Sequence, residues 1–291
     1  MKMKYQMFLG CTIPARQSNY EQSARKVSEA LGIELSDPEF GCCGFPIEPV
    51  DEVKALAMAA VNLKKAAEDD APVITLCSAC GEMLVKAEKL LGDEETAKKV
   101  NAVMAKSVGT TYEGEKPEVL HFARMLHQVY GLDKIREKVK KPLGLKVATH
   151  PGCHYVRPKD LFAGFDDPEY PRSLDELVEA TGAESVEYLG KTDCCGGSLL
   201  AVDEKVSKAM TRKKLDRLKG KVDALVLICP FCGIMYDKYQ RLLEEEAETQ
   251  YGVPVLYYPQ LLGLALGLDP GDLGFDVNSV PVKQLLEKVM K

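Results

Sequence analysis

Val73-Ile74-Thr75-Leu76-Cys77-Ser78-Ala79-Cys80-Gly81 and Leu225-Val226-Leu227-Ile228-Cys229-Pro230-Phe231-Cys232-Gly233 carry the same pattern at two places in one chain. Each is a short continuous apolar run, rich in branched residues, that ends in C-x-x-C. A run apolar on both faces reads as a strand buried in a parallel sheet. Behind it, residues 51–68 and 203–219 are charged segments with apolar positions at helical spacing, and Asp51 and Asp203 read as their N-caps. Strands alternating with helices imply βαβ units. The expected fold is therefore α/β: two tandem Rossmann-like repeats with parallel sheets, related by a pseudo-two-fold axis. Each C-x-x-C then lies where a strand ends and a helix begins, the usual ligand position of an open α/β sheet.

The repeat extends well beyond these strands. The chain has ten cysteines: Cys11, Cys42, Cys43, Cys77 and Cys80, then Cys153, Cys194, Cys195, Cys229 and Cys232. The first five read C-x30-C-C-x33-C-x2-C and the second five C-x40-C-C-x33-C-x2-C. Lys4–Cys11 aligns with Lys146–Cys153, and Val119-Leu120-His121-Phe122 with Val255-Leu256-Tyr257-Tyr258. A period this long means a duplicated domain rather than a solenoid. The boundary is expected near residues 134–144, which divides the chain into residues 1–141 and 142–291. Residues 92–116 are an extra, helical insertion in the first copy. Residues 155–173 lengthen the second copy and are a loop suited to partner contact or to roofing a site.

Composition limits the functional classes. With 291 residues, 46% hydrophobic and 28% charged, the chain has the balance of a two-domain globular protein. A net charge of −6 argues against nucleic-acid binding, which rests on clustered cations. The first ten residues lack the apolar run of a signal peptide. The most apolar stretch, residues 261–268, is far shorter than the ~20 residues of a membrane span. The expected compartment is the cytoplasm, where thiols stay reduced, so ten cysteines point to metal or redox chemistry. No G-x-G-x-x-G follows a strand and no G-x-x-x-x-G-K-[ST] occurs, so no NAD, FAD or ATP site is expected. Electrons are expected to arrive through another protein.

Four thiolates satisfy one zinc or one ordinary cubane cluster, so five in a repeated set exceed either. Glycines Gly41 and Gly44, and Gly196 and Gly197, are expected to bend the backbone so that both cysteines of an adjacent pair face one group. A thioredoxin-like dithiol would use only the C-x-x-C pairs and leave six cysteines without a role.

The doubled pattern C-x(n)-C-C-G-x33-C-x2-C resembles the CCG-domain family, and over the whole chain the B subunits of heterodisulfide reductases. That resemblance implies two noncubane 4Fe-4S clusters, each held by the five cysteines of one repeat. It implies a catalytic subunit that reduces the coenzyme M–coenzyme B heterodisulfide in methanogenesis; because a disulfide needs two electrons and a cluster passes one at a time, the S–S bond is expected between the clusters, with one electron from each. It also implies a flavin and iron–sulfur subunit and a small ferredoxin-like subunit as partners, with hydrogenase or formate dehydrogenase reached through them. Two other readings stand beside it: a related CCG redox subunit acting on another sulfur compound or acceptor, and a non-catalytic zinc scaffold.

His154, next to Cys153, is the expected proton donor, since an imidazole titrates near neutrality. Arg16, Arg157 and Lys159 follow Cys11 and Cys153 at similar distances and are expected to anchor the anionic ends of the substrate. His150 is expected to end a strand, His121 to be structural and His127 to lie on a helix. Lys205, Lys208, Arg212, Lys213 and Lys214 are expected on the wet face of the helix at residues 203–219.

Overall fold

Eight short strands carry the architecture: β1 (Met3–Phe8), β2 (Ile33–Ser36), β3 (Val73–Thr75) and β4 (Val119–His121), then β5 (Lys146–His150), β6 (Glu184–Ser185), β7 (Ala224–Leu227) and β8 (Val255–Tyr257). They come from a computed structural model that describes residues 3–290. Two four-stranded sheets form, in the orders β2-β1-β3-β4 and β6-β5-β7-β8, and every pairing is parallel. The central strands β3 and β7 are buried along their whole length, as their unbroken apolar runs require. Strand order reverses between β1 and β3, and between β5 and β7. At such a switch point the crossovers leave to opposite faces and open a crevice at the carboxyl ends. Cys11 and Cys77 follow the first pair of ends, Cys153 and Cys229 the second.

The helices start where side-chain oxygens satisfy free N–H groups. Asp51 accepts from the Lys54 N–H at the head of helix Glu52–Ala66, and Asp203 from the Val206 N–H at the head of helix Glu204–Leu218. The insertion in the first copy is helix Glu94–Val108, which buries Val100 and Met104 against helix Glu52–Ala66. The apolar stretch at residues 261–268 lies mostly in helix Tyr258–Ala265, which is buried throughout and packs on helix Ser18–Leu31 of the first half. It is core, and it joins the halves. Tyr20 stacks on Tyr257 across that joint, with ring centroids 4.0 Å apart. The connecting segment is tied to the second half by Lys140 N–H and Lys141 N–H, which both donate to the Ala265 carbonyl. Among the described residues, no helix is long and apolar enough to cross a membrane.

One expectation fails on helix Glu204–Leu218. Lys205 and Lys213 are exposed, and Lys208 and Arg212 pair with Glu246, but Lys214 is only 1% exposed. It lies on the buried face that Ser207, Thr211, Leu215 and Leu218 define at helical spacing.

Candidate active site

Each five-cysteine set collects at the end of its sheet. Cys77 and Cys229 are the N-cap residues of the helical turns that hold Cys80 and Cys232, so backbone N–H groups approach their sulfurs. The adjacent pairs enter from loops that turn sharply at Gly44 (φ +93°) and Gly196 (φ +88°). A Cβ on either glycine would lie 2.4 Å from the Ala55 carbonyl oxygen or 2.7 Å from that of Ser207, so each loop lies directly on its helix backbone. Gly41 and Gly197 do not adopt positive φ, so the turn rests on one glycine per pair rather than two. Gly196 N–H and Gly197 N–H donate to Cys194 Sγ and Cys195 Sγ, each at 3.4 Å.

The ten sulfurs form one run. Cys11 Sγ lies 3.9 Å from Cys42 Sγ. Thiol contacts then link Cys42 to Cys43, Cys43 to Cys80, Cys80 to Cys77, and Cys77 across the two halves to Cys229. They continue through Cys232, Cys195 and Cys194 to Cys153. Hydrogen bonds from Cys42 and Cys80 draw the Cys43 thiol down to about 4, and those from Cys153 and Cys195 draw Cys194 down to about 2. Cys229 is lowered in the same way by Cys232 and Cys77. Their partners Cys42, Cys77, Cys80, Cys153, Cys195 and Cys232 move upward as the donors of those bonds. Soft thiolates in this number suit iron or zinc.

Two clefts open onto the sulfurs, and each half roofs the cleft of the other. All five cysteines of the second set line a solvent-open cleft of about 370 Å³, whose roof is Phe45, Ser78 and Ala79 of the first half. Cys11, Cys43, Cys77 and Cys80 line a cleft of about 260 Å³ beneath Pro230 and Phe231 of the second half. Phe45 lines both. The buried Ser78 hydroxyl has no hydrogen-bond partner, which leaves a polar atom facing the second cleft. Five thiols and this free hydroxyl beside them fit an inorganic sulfur-ligated group.

His154 lies on the wall of the second cleft, edge-on to Phe45 at 4.7 Å between ring centres. Its Nδ1 is 3.7 Å from Glu82 Oε2, a carboxylate of the other half. Burial, reinforced by Glu48, pushes Glu82 up to about 7, while burial lowers His154 below its usual value. Sequence reasoning missed Glu82, because its position, Ile234 in the second copy, shows nothing of what the other half brings to it. His150 ends its strand, as expected, and the fold adds a contact with a cysteine. It is buried at the end of β5, with its Nε2 3.2 Å from Cys232 Sγ. His121 is structural as expected: Nδ1 accepts from Ala123 N–H at 3.1 Å, and Nε2–H donates to the Ile228 carbonyl at 3.1 Å. His127 lies on a helical turn and meets Glu176.

The proposed anchors lie outside both clefts. Arg16 is exposed at the end of helix Thr12–Arg16. Arg157 donates to the Pro168 carbonyl at 2.6 Å and approaches Glu169 at 3.3 Å, so its own loop holds its head group. Lys159 is exposed at the start of the turn Lys159–Leu161. The loop at residues 155–173 buries Tyr155 and Phe162 and lies against Arg124 of the first half, whose guanidinium is 4.5 Å from the Phe165 ring centre.

The profile of the cysteine-rich CCG domain matches this chain twice, over residues 5–85 and 147–237. The chain belongs to the CCG-domain family. Among similar CCG proteins, the B subunit of a ferredoxin:CoB-CoM heterodisulfide reductase from Methanosarcina mazei is 37% identical, over 98% of this chain and 97% of its own length. A protein of Archaeoglobus profundus described as like the B subunit of heterodisulfide reductase is 34% identical over 99% of both chains. The family is broader than this chemistry: an 8-methylmenaquinol:fumarate reductase membrane anchor subunit of Wolinella succinogenes is 33% identical over 98% of this chain and all of its own length. Among solved structures, a hypothetical protein from Helicobacter pylori superimposes with a TM-score of 0.75 at 16% identity. It covers 97% of this CCG chain, which spans 54% of that protein, and the likeness supports the fold alone.

Proposed function

We propose that this CCG protein is the disulfide-reducing subunit of an oxidoreductase complex, with one noncubane 4Fe-4S cluster on each five-cysteine set. The observation that carries this reading is the run of ten sulfurs, in which Cys77 and Cys229 bring the two sets into contact across the pseudo-two-fold axis. When bound, the clusters would supply single electrons and iron with affinity for thiolate sulfur. The chain's own residues do the rest. Cys11, Cys42, Cys43, Cys77 and Cys80 hold one group, and Cys153, Cys194, Cys195, Cys229 and Cys232 the other. Phe45 and Phe231 line both clefts, so the disulfide meets apolar walls. His154 holds a proton at the edge of the second cleft, with Glu82 beside it to replace that proton. Arg16 anchors one anionic end of the substrate, and Arg157 and Lys159 the other once Arg157 releases the Pro168 carbonyl and Glu169. The name of the Methanosarcina mazei relative supports the coenzyme M–coenzyme B heterodisulfide as substrate and ferredoxin as a source of electrons, and the subunit names support a place in a complex, in which a flavin and iron–sulfur subunit and a small ferredoxin-like subunit are the partners of this reading.

The test is to purify the chain without oxygen, count iron and labile sulfide, and then supply a reduced dye and the heterodisulfide. About eight irons per chain with matching sulfide, and thiol release, are expected. Zinc without sulfide would refute the reading. Full iron without thiol release would favour the second reading, a redox subunit serving another acceptor, which the likeness to the quinol:fumarate reductase subunit supports.

A further inference from the structure

The two cysteine sets are matched in sulfur but not in charge. Helices Glu52–Ala66 and Glu204–Leu218 are equivalent, and Asn62 in the first stands where Lys214 stands in the second. At the ends of β1 and β5, Phe8 stands where His150 does. Asn62 braces the first cysteine-pair loop with neutral bonds: its Oδ1 accepts from Gly41 N–H at 2.8 Å, and its Nδ2 donates to the Cys42 carbonyl at 3.0 Å. Lys214 braces the second loop with a charge. Its Nζ donates to the carbonyls of Lys191 and Asp193, each at 3.0 Å, and to His150 Nδ1 at 2.8 Å. These three acceptors use the three hydrogens of an ammonium, and none is a carboxylate. The rings of Tyr188 and Tyr236 flank the charge, each with its centre 5.7 Å from Nζ.

An ammonium has no lone pair to offer, so His150 Nδ1 accepts and its Nε2 carries the hydrogen. That hydrogen points at Cys232 Sγ, 3.2 Å away. The second set therefore has a buried cation one imidazole away from a sulfur, and the first set has a phenyl ring and an amide. A positive charge and an N–H···S bond both stabilise the more negative, reduced form of a sulfur-ligated group.

We propose that Lys214, acting through His150, is a positioning residue that makes the second cysteine set the higher-potential one of the pair. An electron delivered by the reducing partner then rests at the second site: one electron leaves the group at the first set and is gained at the second, and no bond is made or broken. This rests on the two-cluster reading above, and the experiment separates the two.

The holo-protein is titrated anaerobically with mediator dyes and followed by electron paramagnetic resonance, wild type against Lys214→Met. Two midpoint potentials are expected in the wild type. In the variant the higher one should fall at least tenfold in electron partition, which is 59 mV for one electron, while the lower stays. Iron content should not change. Two unmoved potentials, or a shift confined to the lower one, would overturn the inference with the clusters intact. A wild-type iron count well below about eight would remove the two-cluster reading and this inference together. If Lys214→Met fails to hold iron, the graft Phe8→His with Asn62→Lys decides: a rise of the lower potential supports the inference, and no rise overturns it.

Discussion

Acidifying the protein from about pH 7.5 to about pH 5.5 should cost roughly 1.3 kcal/mol of stability through one side chain, His121. This ring is buried at the joint between the halves, edge-on to Tyr155, and burial lowers it from 6.5 to about 4. Both nitrogens are committed to the neutral form: Nδ1 accepts from Ala123 N–H and Nε2–H donates to the Ile228 carbonyl. A proton on Nδ1 would remove that acceptor. In the unfolded chain the imidazole keeps its ordinary value and takes up protons first. The folded value is depressed, so the contribution is fully present above about pH 6.5 and is lost as pH falls toward about 4. The assay is denaturant unfolding of wild type and His121→Asn at both pH values, with iron counted in each sample. Other titrating groups cancel between the two proteins. The stability gap between wild type and variant should narrow by about 1.3 kcal/mol at the lower pH. Parallel pH dependence of the two proteins would refute the reasoning. The Nε2–H bond to the Ile228 carbonyl survives protonation, so the loss falls on the Ala123 side of the ring.

Gly44→Ala forces a left-handed residue against the Ala55 carbonyl and should cost at least about 1–2 kcal/mol together with iron from the first set, whereas Gly41→Ala should leave both unchanged. Denaturant unfolding with iron analysis checks both. His154→Gln should lower kcat about tenfold or more with iron intact, and an unchanged pH–rate profile would exclude it as the proton donor. Arg16→Ala should raise KM about tenfold, close to 1.4 kcal/mol, with kcat unchanged in steady-state turnover. Arg157→Ala should do less, because its head group is already bonded within its own loop.

What the sequence determined by itself is everything that lies within one half and close along the chain. The branched apolar runs before each C-x-x-C dictate buried parallel strands, because only a sheet covered on both faces takes an unbroken hydrophobic run. Asp51 and Asp203 start helices because their oxygens satisfy free N–H groups, and both do so here. The C-C-x33-C-x2-C spacing shared by the two sets places four thiols of each at equivalent positions in the two halves, since equal spacing in a duplicated fold means equal position. Tertiary structure decided what the halves bring to each other: Cys77 against Cys229, Glu82 beside His154, and Ser78 and Phe231 roofing opposite clefts. These contacts depend on how the pseudo-two-fold axis docks two surfaces, and no local pattern encodes that. Lys214 lies between the two cases. Its place on the Ser207–Thr211–Leu215–Leu218 face was visible as helical spacing, but a lysine is placed in water by default. Only the fold supplied the ring nitrogen and two carbonyls that make a buried ammonium tolerable there.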